Sequence, residues 1–140
     1  MGRILAIDYG KKRVGIAVTD PQQIIATRLT TVASHTIWDF LNDYFQKENV
    51  DEVIVGYPMT LNNQPSEAVI YINPFLKKFE VKYPEIKLKI FDERFTSKMA
   101  FQTMIDGGVK KQKRRDKALV DGISATIILQ NYLEQKRNKL

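Results

Sequence analysis

At 140 residues, with 44% apolar and 27% charged side chains, the chain has the size and composition of one globular domain, expected to cover residues 1–140. It has no cysteine and one histidine, His35, which excludes disulfides, thiolate nucleophiles and imidazole-rich metal sites; any metal must sit on oxygen ligands. The net charge of +6 is uneven, with 6 basic and 8 acidic side chains in residues 1–70 and 16 basic and 8 acidic in residues 71–140, and a basic half points to a polyanionic partner.

Arg3 to Asp8 alternates and is rich in Ile, Leu and Ala, Tyr9 to Lys12 reads as a turn, and Arg13 to Thr19 resumes a β run, which predicts a hairpin. Asp20-Pro21 marks a second turn and Ile24 to Val32 a third strand, completing an antiparallel meander. Ser34 offers a helix N-cap, and Ile37, Phe40, Leu41, Tyr44 and Phe45 recur at helical spacing up to about Asn49. Asp51 to Tyr57 contains Val53-Ile54-Val55, a run expected of a strand buried on both faces, and it ends at Gly56-Tyr57-Pro58.

Ser66 then caps a helix with Ala68, Ile72, Phe75, Leu76 and Phe79 as its buried stripe, and a kink or break is expected at Pro74. Lys87 to Asp92 is a fifth strand. Thr96 or Ser97 caps a further helix to about Asp106, ended by Gly107-Gly108. Six of the eight residues from Lys110 to Lys117 are cationic and read as loop, and a last helix covers about Asp116 to Lys136. Right-handed crossovers turn this order into an α/β fold. It is a five-stranded mixed sheet whose first three strands are antiparallel and whose last two run parallel to the first, with helices on both faces.

Three carboxylates stand out against this frame. Asp8 ends a central apolar strand at the carboxyl edge, where open α/β sheets hold ligands; the plainer role is an aspartate opening the hairpin turn. Asp92 and Glu93 lie at the same end of the fifth strand, and alternation sends them to opposite faces, so one of the two can join Asp8. Asp121 shares a helix face with Ser124, Ala125, Ile128, Leu129 and Tyr132, so it needs a cation, either Lys117 one turn earlier or a metal. If Asp8, one acid of the strand end and Asp121 converge, a hard divalent cation, Mg²⁺ or Mn²⁺, is what makes the ionised cluster stable. Two such ions roughly 3.5–4 Å apart are the recurring device for phosphodiester hydrolysis. Cations of the second half would hold the substrate's phosphates.

At these residues the sequence resembles the YqgF family of the ribonuclease H-like superfamily, which is similar to Holliday-junction resolvases and is assigned to nucleolytic maturation of the 5′ end of pre-16S ribosomal RNA. The resemblance covers essentially the whole chain. It is carried by Ile7-Asp8-Tyr9-Gly10, Arg13-Val14-Gly15-Ile16-Ala17 and Asp20, by Val55-Gly56-Tyr57-Pro58, by Asp92-Glu93-Arg94-Phe95-Thr96-Ser97, and by Lys117, Val120-Asp121 and Ala125 to Leu133. It implies a ribonuclease H-like fold, Asp8, Glu93 and Asp121 as catalytic, metal-binding acids, and phosphate contact by Arg94 and the loop after Gly56, including Pro58. Lys111, Lys113, Arg114, Arg115 and Lys117 are the further substrate-binding candidates. The expected partner is nucleic acid, an RNA precursor ahead of branched DNA. Resolvases carry a fourth acid one turn after the last, where this chain has Ser124, which favours a single-strand cut over junction cleavage.

Two other classes fit parts of the pattern. The segment from Asp8 to Gly15 also resembles the phosphate loop of actin-like kinases, but those clasp ATP between two such domains. A non-catalytic nucleic-acid-binding domain of this fold would have lost its acids, and here all three remain. His35 is expected at the surface, and Trp38, Phe40, Tyr44 and Phe45 in the core rather than as a base-stacking platform. With no stretch near the roughly 20 apolar residues of a membrane span and no signal-peptide pattern, a cytoplasmic protein is expected, as monomer or homodimer.

Overall fold

Alternation at the start of the chain produces a strand, β1 (Arg3–Tyr9), with two buried faces, and the rest of the sheet assembles on it. The computed structural model describes residues 2–57, 69–92 and 117–138, with side chains at all of these but 92, 117–124 and 138. After β1 come β2 (Arg13–Thr19), β3 (Ala26–Ala33), α1 (Ile37–Lys47), β4 (Val50–Tyr57), α2 (Val69–Lys82), β5 (Lys87–Asp92) and α3 (Lys117–Asn138). The sheet order is β3-β2-β1-β4-β5. β2 is antiparallel to both β1 and β3, while β4 is parallel to β1 and β5 to β4, as expected from the sequence.

Period-two alternation divides the core. Leu5, Ile7, Val14, Ile16, Val53 and Val55 pack under α1 and α2, against Ile37, Leu41, Ile72, Phe75 and Phe79. Ile4, Ala6, Ala17 and Ile54 face the other way and pack under α3, against Ala125, Ile128, Leu129, Tyr132 and Leu133. Alanines at 6 and 17 let α3 approach the sheet closely. Each fully buried Ile or Leu in this layer contributes about 1.5–3 kcal/mol.

Three local expectations are corrected. The third strand begins at Ala26, not Ile24, because the Asp20 carboxylate takes the backbone N–H groups of Ile24 and Ile25, both at 2.8 Å, and removes them from the ladder. Ser34 does not cap α1; its hydroxyl donates to the Lys11 carbonyl at 2.7 Å, and the chain enters the helix through a 3₁₀ turn over Ser34–Thr36. α2 has no break at Pro74, whose missing N–H orphans the Ile70 carbonyl in the first turn of the described helix, at an exposed residue. The expected helix from Thr96 or Ser97 to Asp106 lies outside the described residues.

The backbone N–H groups of Ile25, Ile24 and Gln22 hold the Asp20 carboxyl below its ordinary value of 3.8. A depressed carboxylate stabilises the fold above its unfolded pKa and loses that contribution as pH falls through the folded one. Asp20→Ala is therefore expected to unfold at lower urea than wild type at pH 7, with the gap closing below about pH 4. A gap equally wide at pH 3 and pH 7 contradicts this role.

Candidate active site

Sheet register builds the site around Asp8. Asp8 is half-buried, the next-to-last residue of β1, and pairs with Gly15 of β2. On its other side the β1–β4 register, Ile7 with Val55, brings Gly56 alongside it one step further on. Gly56 in turn pairs with Phe91 of β5, and Tyr57 with Asp92. Directly opposed residues share a face, so one row across the α3 side reads Gly15, Asp8, Gly56, Phe91. The Asp8 carboxylate is thus flanked on both strands by positions without a side chain. Gly15 was not among the residues expected to shape the site; its motif was visible, but only the register places it opposite Asp8.

Below this row the turn after β1 is tight. Gly10 donates its N–H to the Arg13 carbonyl at 2.9 Å, and a Cβ at Gly10 would lie 2.6 Å from that oxygen. The turn is also tied to the start of α1 by the Ser34 bonds to Lys11 and Lys12. Both contacts fix the direction in which β1 delivers Asp8.

α3 crosses the same face with its carboxyl-terminal half at the opposite edge. The Tyr132 hydroxyl donates to the Glu52 carboxylate, 2.6 and 2.8 Å from its two oxygens, and Glu52 pairs with Ile4 at the start of β1 and β4. Arg137 donates to the Ile24 carbonyl at 2.7 Å. From Tyr132 back to Asp121 the helix axis covers about 16 Å, and from the Ile4 row to the Asp8 row the sheet covers about 13 Å. Asp121 stands one turn before the buried Ala125 and in helical phase with Ile128 and Tyr132, on the part of α3 that leads away from the Glu52 edge. Lys117 is the first residue of the helix as described.

β5 completes the edge. Lys87, Lys89 and Phe91 pair with Glu52, Ile54 and Gly56 and so lie on the α3 side, where Phe91 packs against the α3 cluster. Of the expected site residues, Asp8 and Gly56 are described fully and Asp121 and Lys117 by their backbone. Glu93, Arg94, Pro58, Lys111, Lys113, Arg114 and Arg115 lie outside the described residues. Among the described residues no group of three or more His, Cys, Asp or Glu side chains is placed to hold a metal. What is described suits a hard cation: the donor at the centre is a carboxylate, and no thiol exists in the chain. His35 is exposed and Trp38 half-buried on the core, as expected.

A polar network at the other end of α3 is not evident from the sequence alone. Glu52 is 5% exposed, and besides Tyr132 it has Lys89 Nζ at 3.5 Å and Lys136 Nζ at 3.7 Å. Lys89 also donates to the Tyr132 hydroxyl at 2.9 Å. Burial and the bond to Glu52 raise the Tyr132 hydroxyl above 10.0, and the bond to Tyr132, with the Glu52 charge, raises Lys89 above 10.5. An acid inside a strand otherwise buried on both faces was the available signal.

Residues 2–135 match the family described as RuvX, Holliday junction resolvase. A protein of Flavobacterium johnsoniae is 58% identical over 137 residues, covering 98% of this chain and 99% of its own length, and one of Phocaeicola vulgatus is equally similar over the same shares. One of Porphyromonas gingivalis is 54% identical over 134 residues, or 96% of this chain and 97% of its own. All three are named, provisionally, as pre-16S rRNA nucleases. The solved structure of T. thermophilus RuvC in complex with Holliday junction substrate superposes with a TM-score of 0.60 at 15% identity, covering 96% of both chains, and the shared fold is ribonuclease H-like. Among the described residues no helix is long and apolar enough to cross a membrane. A family match over nearly the whole chain, with relatives at 58% identity along their full length, places the protein in the RuvX family, the one its sequence resembles under the name YqgF.

Proposed function

We propose that the protein is a metal-dependent endonuclease of the cytoplasm that hydrolyses phosphodiester bonds in the 5′ extension of the 16S ribosomal RNA precursor, as one domain over residues 1–140. The observation that carries this reading is the Asp8 carboxylate at the carboxyl edge of the sheet, in the row of Gly15 and Gly56. The match to the resolvase family over residues 2–135 supports the reading that Glu93, rather than Asp92, is the third acid. Asp8, Glu93 and Asp121 would hold Mg²⁺ or Mn²⁺. Such ions, when bound, supply Lewis acidity toward the attacking water and the leaving 3′-oxygen. Asp8 positions its carboxylate from a strand paired on both sides, and Gly15 and Gly56 set no side chain beside it in its row. Arg94, Pro58 and Lys117 are the residues this reading assigns to the substrate's phosphates. All three acids come from one chain, so a monomer is complete and a homodimer would duplicate the site. The names of the relatives favour precursor RNA over branched DNA.

Matched single-stranded RNA, single-stranded DNA and four-way junctions, each with Mg²⁺ and with chelator, test the reading. RNA is expected to be cut fastest, and only with metal. Junction cleavage ahead of RNA assigns a resolvase instead; binding without cleavage of any substrate assigns a non-catalytic domain.

Neutralising Lys111, Lys113, Arg114 and Arg115 to Gln is expected to flatten the salt dependence of RNA binding. Four lost phosphate contacts reduce the log–log slope by about 3, at roughly 0.7 per contact on a single strand. An unchanged slope returns this run to a solvated loop.

A further inference from the structure

On the face of the sheet away from α3, aromatic rings run from the carboxyl edge down α2 with lysines set over them. Tyr9 packs on Phe75 with ring centroids 4.7 Å apart, and Phe75 stacks on Trp38 at 4.9 Å. Lys78 and Lys82 hold their ammonium groups 5.0 and 5.6 Å from the Trp38 ring, and Lys11, in the turn after β1, lies 5.6 Å from the ring of Tyr71. Tyr71, Phe75, Lys78 and Lys82 are spaced four, three and four apart, so they share one face of α2 over about 16 Å.

The occupant follows from charge and position. Among the described residues the ion pairs lie elsewhere, at Arg3–Glu48, Lys47–Asp43 and around Glu52, and none of them uses Lys11, Lys78 or Lys82. Each is held by a ring, a contact that fixes a long side chain without neutralising it. Lys77 adds to the same helix, which has Glu80 as its single acid. The stripe begins three residues after Asp8, so a strand leaving the candidate site reaches Lys11 first. Tyr71, 37% exposed, offers a ring among these cations. Phosphates on lysines with a base on an aromatic ring is the chemistry of single-strand binding.

We infer that this stripe is a second nucleic-acid contact: the single-stranded segment flanking the cleaved bond passes over the turn after β1 and along α2, with Lys11, Lys78 and Lys82 on its phosphates and Tyr71 against a base. The identity of that strand rests on the nuclease reading above; the surface itself does not. Trp38 remains a core ring and acts here as the support for two of the lysines.

Trp38 is the single tryptophan of the chain, so its emission reports on this surface directly. Wild type is titrated with single-stranded RNA in chelator, which blocks metal-dependent cleavage, and binding is followed in parallel by the anisotropy of labelled RNA. Trp38 emission is expected to change saturably over the same concentrations. Lys78→Gln/Lys82→Gln, two exposed changes that leave the core rings in place, is expected to weaken binding roughly tenfold near 0.1 M salt and to reduce the salt slope by about 1.4. A blunt duplex of equal length is expected to lose less than about twofold. Unchanged emission at saturation overturns the inference, as does an unchanged slope, an equal loss for the duplex, or a response to polyglutamate where RNA gives none, which assigns the surface to an acidic protein. If these binding results hold in a protein that cleaves nothing, the surface stands and the nuclease reading falls. Cleavage with an unchanged slope gives the reverse.

Discussion

Asp8→Asn is expected to abolish metal-dependent RNA cleavage, by about 1000-fold or more, while leaving the thermal midpoint within a few degrees of wild type. The scale follows from the several kcal/mol that a positioned divalent ion contributes to transition-state charge, at about 1.4 kcal/mol per factor of ten. The fold is expected to survive because Asp8 is half-buried at the end of β1, Asn is nearly its size, and β1 is held by pairing on both sides. Single-turnover cleavage and a melting curve on the same preparation check the two halves. Equal activity in variant and wild type would mean that the nuclease is a contaminant or that Asp8 is a turn residue.

Tyr132→Phe is expected to lower stability by about 1.5–3 kcal/mol, the range for a hydrogen bond to a charged group whose partner is left buried, and the melting temperature by roughly 5–10 °C. The ring stays, so packing against Ile128 and Leu129 is kept, and the loss isolates the hydroxyl that donates to Glu52. Lys89 and Lys136 remain near Glu52 but are partly exposed, and solvent screens what they can recover. Both Tyr132 and Lys89 titrate higher in the folded protein than their ordinary 10.0 and 10.5. Groups with raised folded pKa values stabilise below the unfolded value and lose that contribution as pH rises through the folded one. The difference between wild type and Tyr132→Phe is therefore expected to be full at pH 7 and to shrink above about pH 10. Urea unfolding at both pH values measures it, and a double-mutant cycle with Glu52→Gln separates the pair from its surroundings. A Tyr132→Phe variant as stable as wild type removes this network as the anchor of α3.

Much of this architecture is written in short-range pattern. The strands β1, β2 and β4 declare themselves by alternation or by the run Val53-Ile54-Val55, and Asp8 at the end of the first of them is legible as a site residue because the order of elements makes that strand central. The start of β3 was not legible, since Ile24 and Ile25 look like strand residues and only the side chain of Asp20 withdraws their backbone from the ladder. Ser34 has the chemistry of a cap, yet a partner distant in sequence, the Lys11 carbonyl, takes its hydroxyl. Gly15 and Gly56 became part of the site through cross-strand register, which no local window contains. The same is true of Glu52, whose partners Lys89, Tyr132 and Lys136 come from two other elements. Lys78 and Lys82 read as ordinary helix-surface cations until Trp38 of another helix is seen beneath them.

If Asp8, Glu93 and Asp121 share a divalent ion, direct metal binding reveals it without passing through activity. Mn²⁺ is titrated into wild type, Asp8→Asn, Glu93→Gln and Asp121→Asn, and free Mn²⁺ is followed by its electron paramagnetic resonance signal. Wild type is expected to remove Mn²⁺ from solution stoichiometrically at high protein concentration, and each of the three variants to bind at least about tenfold more weakly with its fold intact. Binding of equal strength in wild type and all three variants would place the metal elsewhere and rule out a shared ion at these acids.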